Sequence, residues 1–211
     1  MTVETADRTV YTDTPWVQTA SGRTVTLLGP GPIAISIRDI AAHLSKICRF
    51  AGATDRFYSV AQHSVLVSNL CFDLGPDAAL HGLLHDAHEA YIGDMPQPAK
   101  LAMARMLGSQ TLSPLDDLKH RLDRAIAEHI GLSYPVSPQI RAAIHHGDLR
   151  ALATEKRDLL TDEPDWPDDL PAPWRAAIKP WPWAKAEEKF LEQFDELAAL
   201  AGLAPLAEHA R

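Results

Sequence analysis

Cysteine is scarce in this chain: only Cys48 and Cys71 occur among 211 residues. That scarcity excludes a disulfide framework and a cysteine-rich zinc site, and the apolar helical setting of both residues predicts buried free thiols. Basic charge is also lacking. Lys and Arg number 20 against 28 Asp and Glu, for a net charge of −8, so the cationic footprint of a duplex-binding protein is missing and no nucleic-acid partner is expected. Acidity does not exclude a small phosphorylated ligand, because a bound metal supplies positive charge locally. No apolar run approaches the ~20 residues that span a bilayer, and the first residues carry no apolar signal-peptide core. The expectation is a soluble, cytoplasmic protein with no membrane partner. What the chain does have is a 46% hydrophobic composition with 23% charged residues, enough for one substantial core.

Residues 1–14 read as a polar tail, and Trp16 to Leu28 as a hairpin turning at Ser21-Gly22. The pattern then becomes helical. Ser36-Ile-Arg-Asp39 and Ser59-Val-Ala-Gln62 have capping-box character and predict helices to about Ala51 and Leu74. Gly75-Pro76 predicts a third helix, over 76–92, ending at Gly93. A short helix over 98–107 follows. Ser113-Pro114 and Ser137-Pro138 open helices over 114–130 and 138–161. A Pro- and Trp-rich loop over 162–183 leads to an amphipathic helix over 184–201. The predicted fold class is all-α: a helical bundle (31–211) behind a small N-terminal tail and β-hairpin (1–30).

Ten histidines are present. His43, His120, His129 and His209 read as structural or surface residues. The informative cluster is His81-Gly-Leu-Leu-His-Asp-Ala-His-Glu89. Asp86 sits among apolar neighbours, where an unpaired charge is costly, and a bound cation is one direct compensation. His85 and Glu89 are four residues apart, the spacing of one helix face. His63 and Asp148 stand in two further apolar helical stretches. Two imidazoles and two carboxylates make a site suited to a divalent transition ion with room for water.

These residues resemble a known family. His63, then His85-Asp86, then Asp148 are similar to the H…HD…D signature of the HD-domain metal-dependent phosphohydrolases. The stretch from His85 to Lys100, with Gly93-Asp94-Met-Pro-Gln-Pro inside it, is similar to that of the bacterial 5′-deoxynucleotidase branch. Arg49-Phe50 stand where that branch has an Arg-aromatic pair. The resemblance covers roughly 36–160.

It implies an HD-domain helical bundle whose metal ligands are His63, His85, Asp86 and Asp148, holding Co, Mn, Zn, Fe or Mg. It implies that Glu89 orients or deprotonates the attacking water. Arg49 is then the phosphate clamp, Phe50 the residue against the sugar in place of the family's Trp, and Asp94 the partner of the deoxyribose 3′-hydroxyl. Gln62 replaces a Glu beside His63 and is expected to support the ligands from behind. The implied substrate is a small nucleotide, first a deoxyribonucleoside 5′-monophosphate and alternatively a dNTP. A dinuclear HD phosphodiesterase using His120, His145 or His146 is a further alternative. A homo-oligomer is expected.

Overall fold

The computed structural model describes residues 14–111, 113–161, 166 and 169–203. The expected tail over 1–14 and His209 therefore lie, Thr14 apart, outside the described residues. Two short strands, β1 (Trp16–Gln18) and β2 (Thr24–Thr26), pair antiparallel with Val17 opposite Val25. The turn takes Gly22 at φ 84, a conformation that costs glycine nothing. The hairpin does not stand apart from the helices. Val25 is wholly buried in the main core, and the Ser21 backbone N–H and hydroxyl both donate to the carboxylate of Asp39.

Eight helical segments follow among the described residues: α1 (Ile37–Leu44), α2 (Val60–Cys71), α3 (Pro76–Leu84), α4 (Glu89–Ile92), α5 (Gln97–Met106), α6 (Ser113–Ile130), α7 (Pro138–Leu159) and α8 (Trp183–Leu200). Their starts follow local chemistry. The hydroxyls of Ser36, Ser59 and Ser137 accept from the backbone N–H of Asp39, Gln62 and Ile140, each satisfying an orphan donor of a first turn. The result is all-α with a small N-terminal hairpin.

Two helices differ from the sequence expectation. The first ends at Leu44 rather than near Ala51. Beyond it, Cys48 bridges Ser59 in an antiparallel pair, and Arg49 N–H donates to the carbonyl of Tyr58 at 3.0 Å. Those pairings divert the chain into a short turn, Arg49–Gly52, whose middle residues Phe50 and Ala51 take left-handed backbone angles. The helix expected over 76–92 is interrupted. From His85 to His88 the backbone bonds run three residues back, as in Ala87 to Leu84 and Glu89 to Asp86, so the segment is wound more tightly than an α-helix.

Helix α8 supplies Phe190, Phe194 and Leu197 to the core and packs on α1, α2 and α3; α2 also lies against α3 and α7. The α2, α3 and α7 junction is unusually close. A Cβ on Gly82 or Gly147 would come within 3.1 or 3.2 Å of the Cys71 sulfur. Glycine at both places lets α3 and the middle of α7 approach α2. The Trp-rich connection before α8 is strapped to the bundle: Trp174 N–H donates to Thr154 Oγ1, and Arg157 donates to the carbonyls of Trp174 and Ala176.

Candidate metal centre

His63 lies in the first turn of α2, His85 and Asp86 follow the end of α3, and Asp148 is mid-way along α7. The structure brings all four together. The rings of His63 and His85 are 5.3 Å apart. His63 Nε2 is 3.2 Å from Asp148 Oδ1 and 3.7 Å from Asp86 Oδ2, and His85 Nε2 is 3.1 Å from Asp86 Oδ2. Donor atoms of His63, His85 and Asp86 all fall within 4.8 Å of one another.

The other ring nitrogens are anchored. His63 Nδ1 donates to Glu155 Oε1 at 2.6 Å, and His85 Nδ1 donates to the carbonyl of Gly82 at 2.8 Å. Because a carboxylate or carbonyl only accepts, both rings carry a proton on Nδ1, and in the neutral tautomer Nε2 is a bare lone pair. Both Nε2 atoms are buried and form no hydrogen bond among the described residues, despite the short distances to carboxylates. Buried nitrogens aimed at carboxylates without hydrogen-bond geometry are what a cation between them explains. The cluster fits a metal ion.

Electrostatics point the same way. Burial disfavours charge on Asp86, yet His85 and His63 hold its carboxyl well below the usual range. Asp148 is likewise opposed by burial and drawn down to about 2, chiefly by His63. Burial and Arg49 act to discharge His63, but the carboxylates of Glu155 and Asp148 outweigh them and push it up to about 10. In the metal-free protein a proton therefore neutralises the carboxylates, and a cation would take its place.

Glu155 is the residue that sequence reasoning missed. It is fully buried on α7, accepts from His63 on one oxygen and from Arg49 NH2 at 2.9 Å on the other. It stands seven residues after Asp148, two turns along the same face, so α7 reaches both nitrogens of His63. Small or buried neighbours on that stripe, Gly147, Ala151 and Thr154, are the signal that could have revealed it. Gln62 does not support the ligands. Its amide donates to the carbonyl of Lys179 and accepts from Trp181 N–H, because the third residue of the helix points away from His63 and toward the strapped loop.

Glu89 opens α4, 4% exposed, with Oε2 buried and without a partner among the described residues. Burial first, then Asp86 and Asp94, push its carboxyl up to about 9. The tightened turn matters here: three-residue winding places Asp86 and Glu89 on one side, where α-helical spacing had paired His85 with Glu89. Asp94 is half-buried behind Gly93. It caps no helix, since α5 starts after Pro96 with no side-chain cap. Burial raises its carboxyl, against the pull of Arg49.

Arg49 keeps its charge because Glu155 and Asp86 outweigh the cost of burying it. Its guanidinium carbon lies 5.2 Å from the Phe50 ring centre, and Phe50 in turn packs on Trp166 at 6.3 Å. Phe50 and Ala51 sit at φ 55 and 51. Left-handed backbone costs a side-chain-bearing residue ~1–2 kcal/mol, and such strain concentrates where a site needs a particular geometry. His43 is structural: Nδ1 donates to Ala90 O, and Nε2 accepts from Ala20 N–H. His145 and His146 are exposed, and His120 is bonded to the Tyr134 hydroxyl. Beside the centre lies a cavity of about 160 Å³ with His81, His85 and Asp123 at its polar side and Leu84, Ile126 and Ile144 among its apolar walls. No described helix is long and apolar enough to cross a membrane.

No family model matches the chain. It is 38% identical over 169 residues to YfdR, an uncharacterized protein of Escherichia coli strain K12, covering 79% of this chain and 86% of the relative. It is also 38% identical over 150 residues to an uncharacterized protein of Rhodobacter capsulatus, covering 68% and 72% of the two chains.

Proposed function

The chain belongs to the family of Escherichia coli YfdR, and we propose that it is an HD-type metal-dependent phosphohydrolase acting on nucleotides, first on deoxyribonucleoside 5′-monophosphates. The observation that carries this is the pair of buried, unbonded Nε2 atoms of His63 and His85 set against Asp86 and Asp148. Those four residues would hold the ion, with Mn, Co, Zn, Fe and Mg as the candidates. A divalent cation supplies, when bound, a Lewis acid for a phosphoryl oxygen and a water of lowered pKa.

This chain's own residues supply the rest. Glu155 fixes the His63 tautomer so that its Nε2 lone pair faces inward. Glu89 takes the proton of the attacking water; burial makes it a strong base, and nearby positive charge returns it to the ionised form. Arg49 presents a guanidinium whose Nε is buried and unbonded among the described residues, free to receive phosphate oxygens as a planar fork. Asp94 binds the sugar 3′-hydroxyl, and Phe50, locked by backbone strain and by Trp166, crowds the 2′ position. The apolar cavity beside His85 accommodates the base. With the groups so held, transfer to water rests on positioning and charge neutralisation.

A short phosphate chain is favoured over a triphosphate. Of the cations available to a longer tail, Lys46 bonds to the carbonyl of Ala42, packs over Trp183 and lies 3.7 Å from Glu187, while Arg56 pairs with Asp55. Lys100 is the one whose charge acts on Glu89 and Asp94. The dinuclear phosphodiesterase reading is disfavoured, because His120, His145 and His146 do not join the cluster. The test is phosphate release from NMPs, dNMPs and dNTPs with Mn, Co, Zn or Mg. Deoxyribonucleoside monophosphates should be hydrolysed fastest, with dAMP preferred to AMP roughly tenfold, the worth of one unsatisfied buried hydroxyl. Absence of phosphate release from every nucleotide and metal would remove the reading.

A further inference from the structure

The tightened turn after α3 carries a second set of donors. Asp86, His88 and Glu89 place one ligand atom each within 4.8 Å of one another. This is not a patch of surface acids. His88 is 3% exposed and Glu89 4%. His88 repeats the arrangement seen in His63 and His85. Its Nδ1 donates to Asp123 Oδ1 on α6 at 2.9 Å, and its Nε2 is buried with no hydrogen bond among the described residues. A carboxylate behind one imidazole nitrogen, and a bare lone pair on the other, is the usual dress of a metal-binding histidine. Glu89 Oε2 is the second buried atom in the cluster without a partner. The negative charge of Asp86 and Asp94 falls on Glu89, with Arg49 and Lys100 opposing it.

We propose that Asp86, His88 and Glu89 form a second divalent-cation subsite that shares Asp86 with the first. Asp86 belongs to both donor groups, and a carboxylate can give one oxygen to each of two ions. Mixed imidazole and carboxylate donors suit Mn²⁺, Fe²⁺ or Zn²⁺. Paired ions in hydrolytic sites stand ~3.5–4 Å apart and clamp the attacking and leaving oxygens together. Glu89 holds an ion with one oxygen and keeps the other for water. The subsite rests on the proposed metal centre for its shared ligand, but not on the identity of the substrate. It also differs from the dinuclear arrangement considered from the sequence, since its histidine comes from the same turn as Asp86.

Manganese binding to the full chain tests it, by equilibrium dialysis with electron paramagnetic resonance on the same samples. The expected result is two Mn²⁺ per chain at saturation, with a spin-coupled spectrum. His88→Ala should bind one ion and give the six-line spectrum of isolated Mn²⁺; His88→Gln, which preserves more of the buried volume, gives the same readout if the alanine variant does not fold. Asp123→Asn should weaken the second ion about 10–100-fold, the usual effect of removing a carboxylate behind a ligating imidazole. Wild-type saturation at one uncoupled ion, or two ions in a His88 variant, would overturn the subsite while leaving the first centre standing. Binding of no ion, or retention of full binding by His85→Ala, would overturn both.

Discussion

Replacing Gly147 by alanine should change sign in its effect on stability according to what stands at position 71. Gly147 precedes Asp148 on α7, and a Cβ built there lies 3.2 Å from the Cys71 sulfur, 3.6 Å from Leu70 Cβ and 3.7 Å from Val67 Cγ1. The last two are ordinary contacts; the first is a clash in a buried junction. Overpacking of this kind costs ~1–3 kcal/mol. Alanine in a helix interior returns about 1 kcal/mol relative to glycine. In the wild-type background Gly147→Ala should therefore destabilise by roughly 0–2 kcal/mol. In a Cys71→Ala background the clash is gone and the added methyl fills part of the vacated space, so the same change should stabilise by about 1 kcal/mol. The coupling is then ~1–3 kcal/mol, within the range for residues in contact. Urea melts of the four metal-free proteins of the cycle measure it. Gly82→Ala is the comparison: its Cβ would meet the Cys71 sulfur at 3.1 Å but also Ser68 Cα and Cys71 Cβ, each at 3.3 Å, so removing the sulfur relieves it only in part. Equal effects of Gly147→Ala in both backgrounds would show that α7 does not rest on this thiol, and would undo the account of how Asp148 reaches α2 and α3.

Four further outcomes are expected. Glu155→Gln, which keeps the shape but loses the charge behind His63, should weaken metal affinity about 10–100-fold in a chelator competition; unchanged affinity would make Glu155 a core residue only. His85→Ala should lose both metal and turnover, whereas Glu89→Ala should retain an ion and lose ~10²–10⁴-fold in turnover, read by metal content and phosphate release on the same samples. Asp158, held below its ordinary range by Arg157 and the Ile178 N–H, has a folded-state value beneath its unfolded one. Its stabilisation is complete above the unfolded value of about 3.9 and disappears as pH falls through the folded one, so the stability gap between wild type and Asp158→Asn should be present at neutral pH and vanish in strong acid. Burial pushes the Cys71 thiol up to about 11, so a disulfide reagent near pH 8 should titrate Cys48 alone in the native protein and both thiols in denaturant.

By itself the sequence determined what depends on neighbours along the chain. Helix starts at Ser36, Ser59 and Ser137 were legible because a cap is a bond between residues three apart. The hairpin was legible because its turn is a single glycine between alternating residues. The four residues of the candidate centre could be singled out because a charged or titratable group in an apolar stretch needs compensation, wherever that compensation comes from, and because their order resembles a known signature. Tertiary structure alone decided the rest. Glu155 looks in the sequence like any helix carboxylate, and its role exists only because α7 lies against α2 closely enough for one stripe to reach both nitrogens of His63. The end of α1 at Leu44 was set by the pairing of Cys48 with Ser59, a contact between separate segments that outweighs the local preference to continue the helix. Gln62 was assigned to the ligands by the resemblance, as the stand-in for a Glu beside His63, but successive helical residues point about 100° apart, and its amide instead holds the loop before α8. The winding of His85 to His88 was decided in the same way. Local propensity favours an unbroken helix there, and the tightened turn, which sets donor atoms of Asp86, His88 and Glu89 within 4.8 Å of one another, is stated by no stretch of sequence.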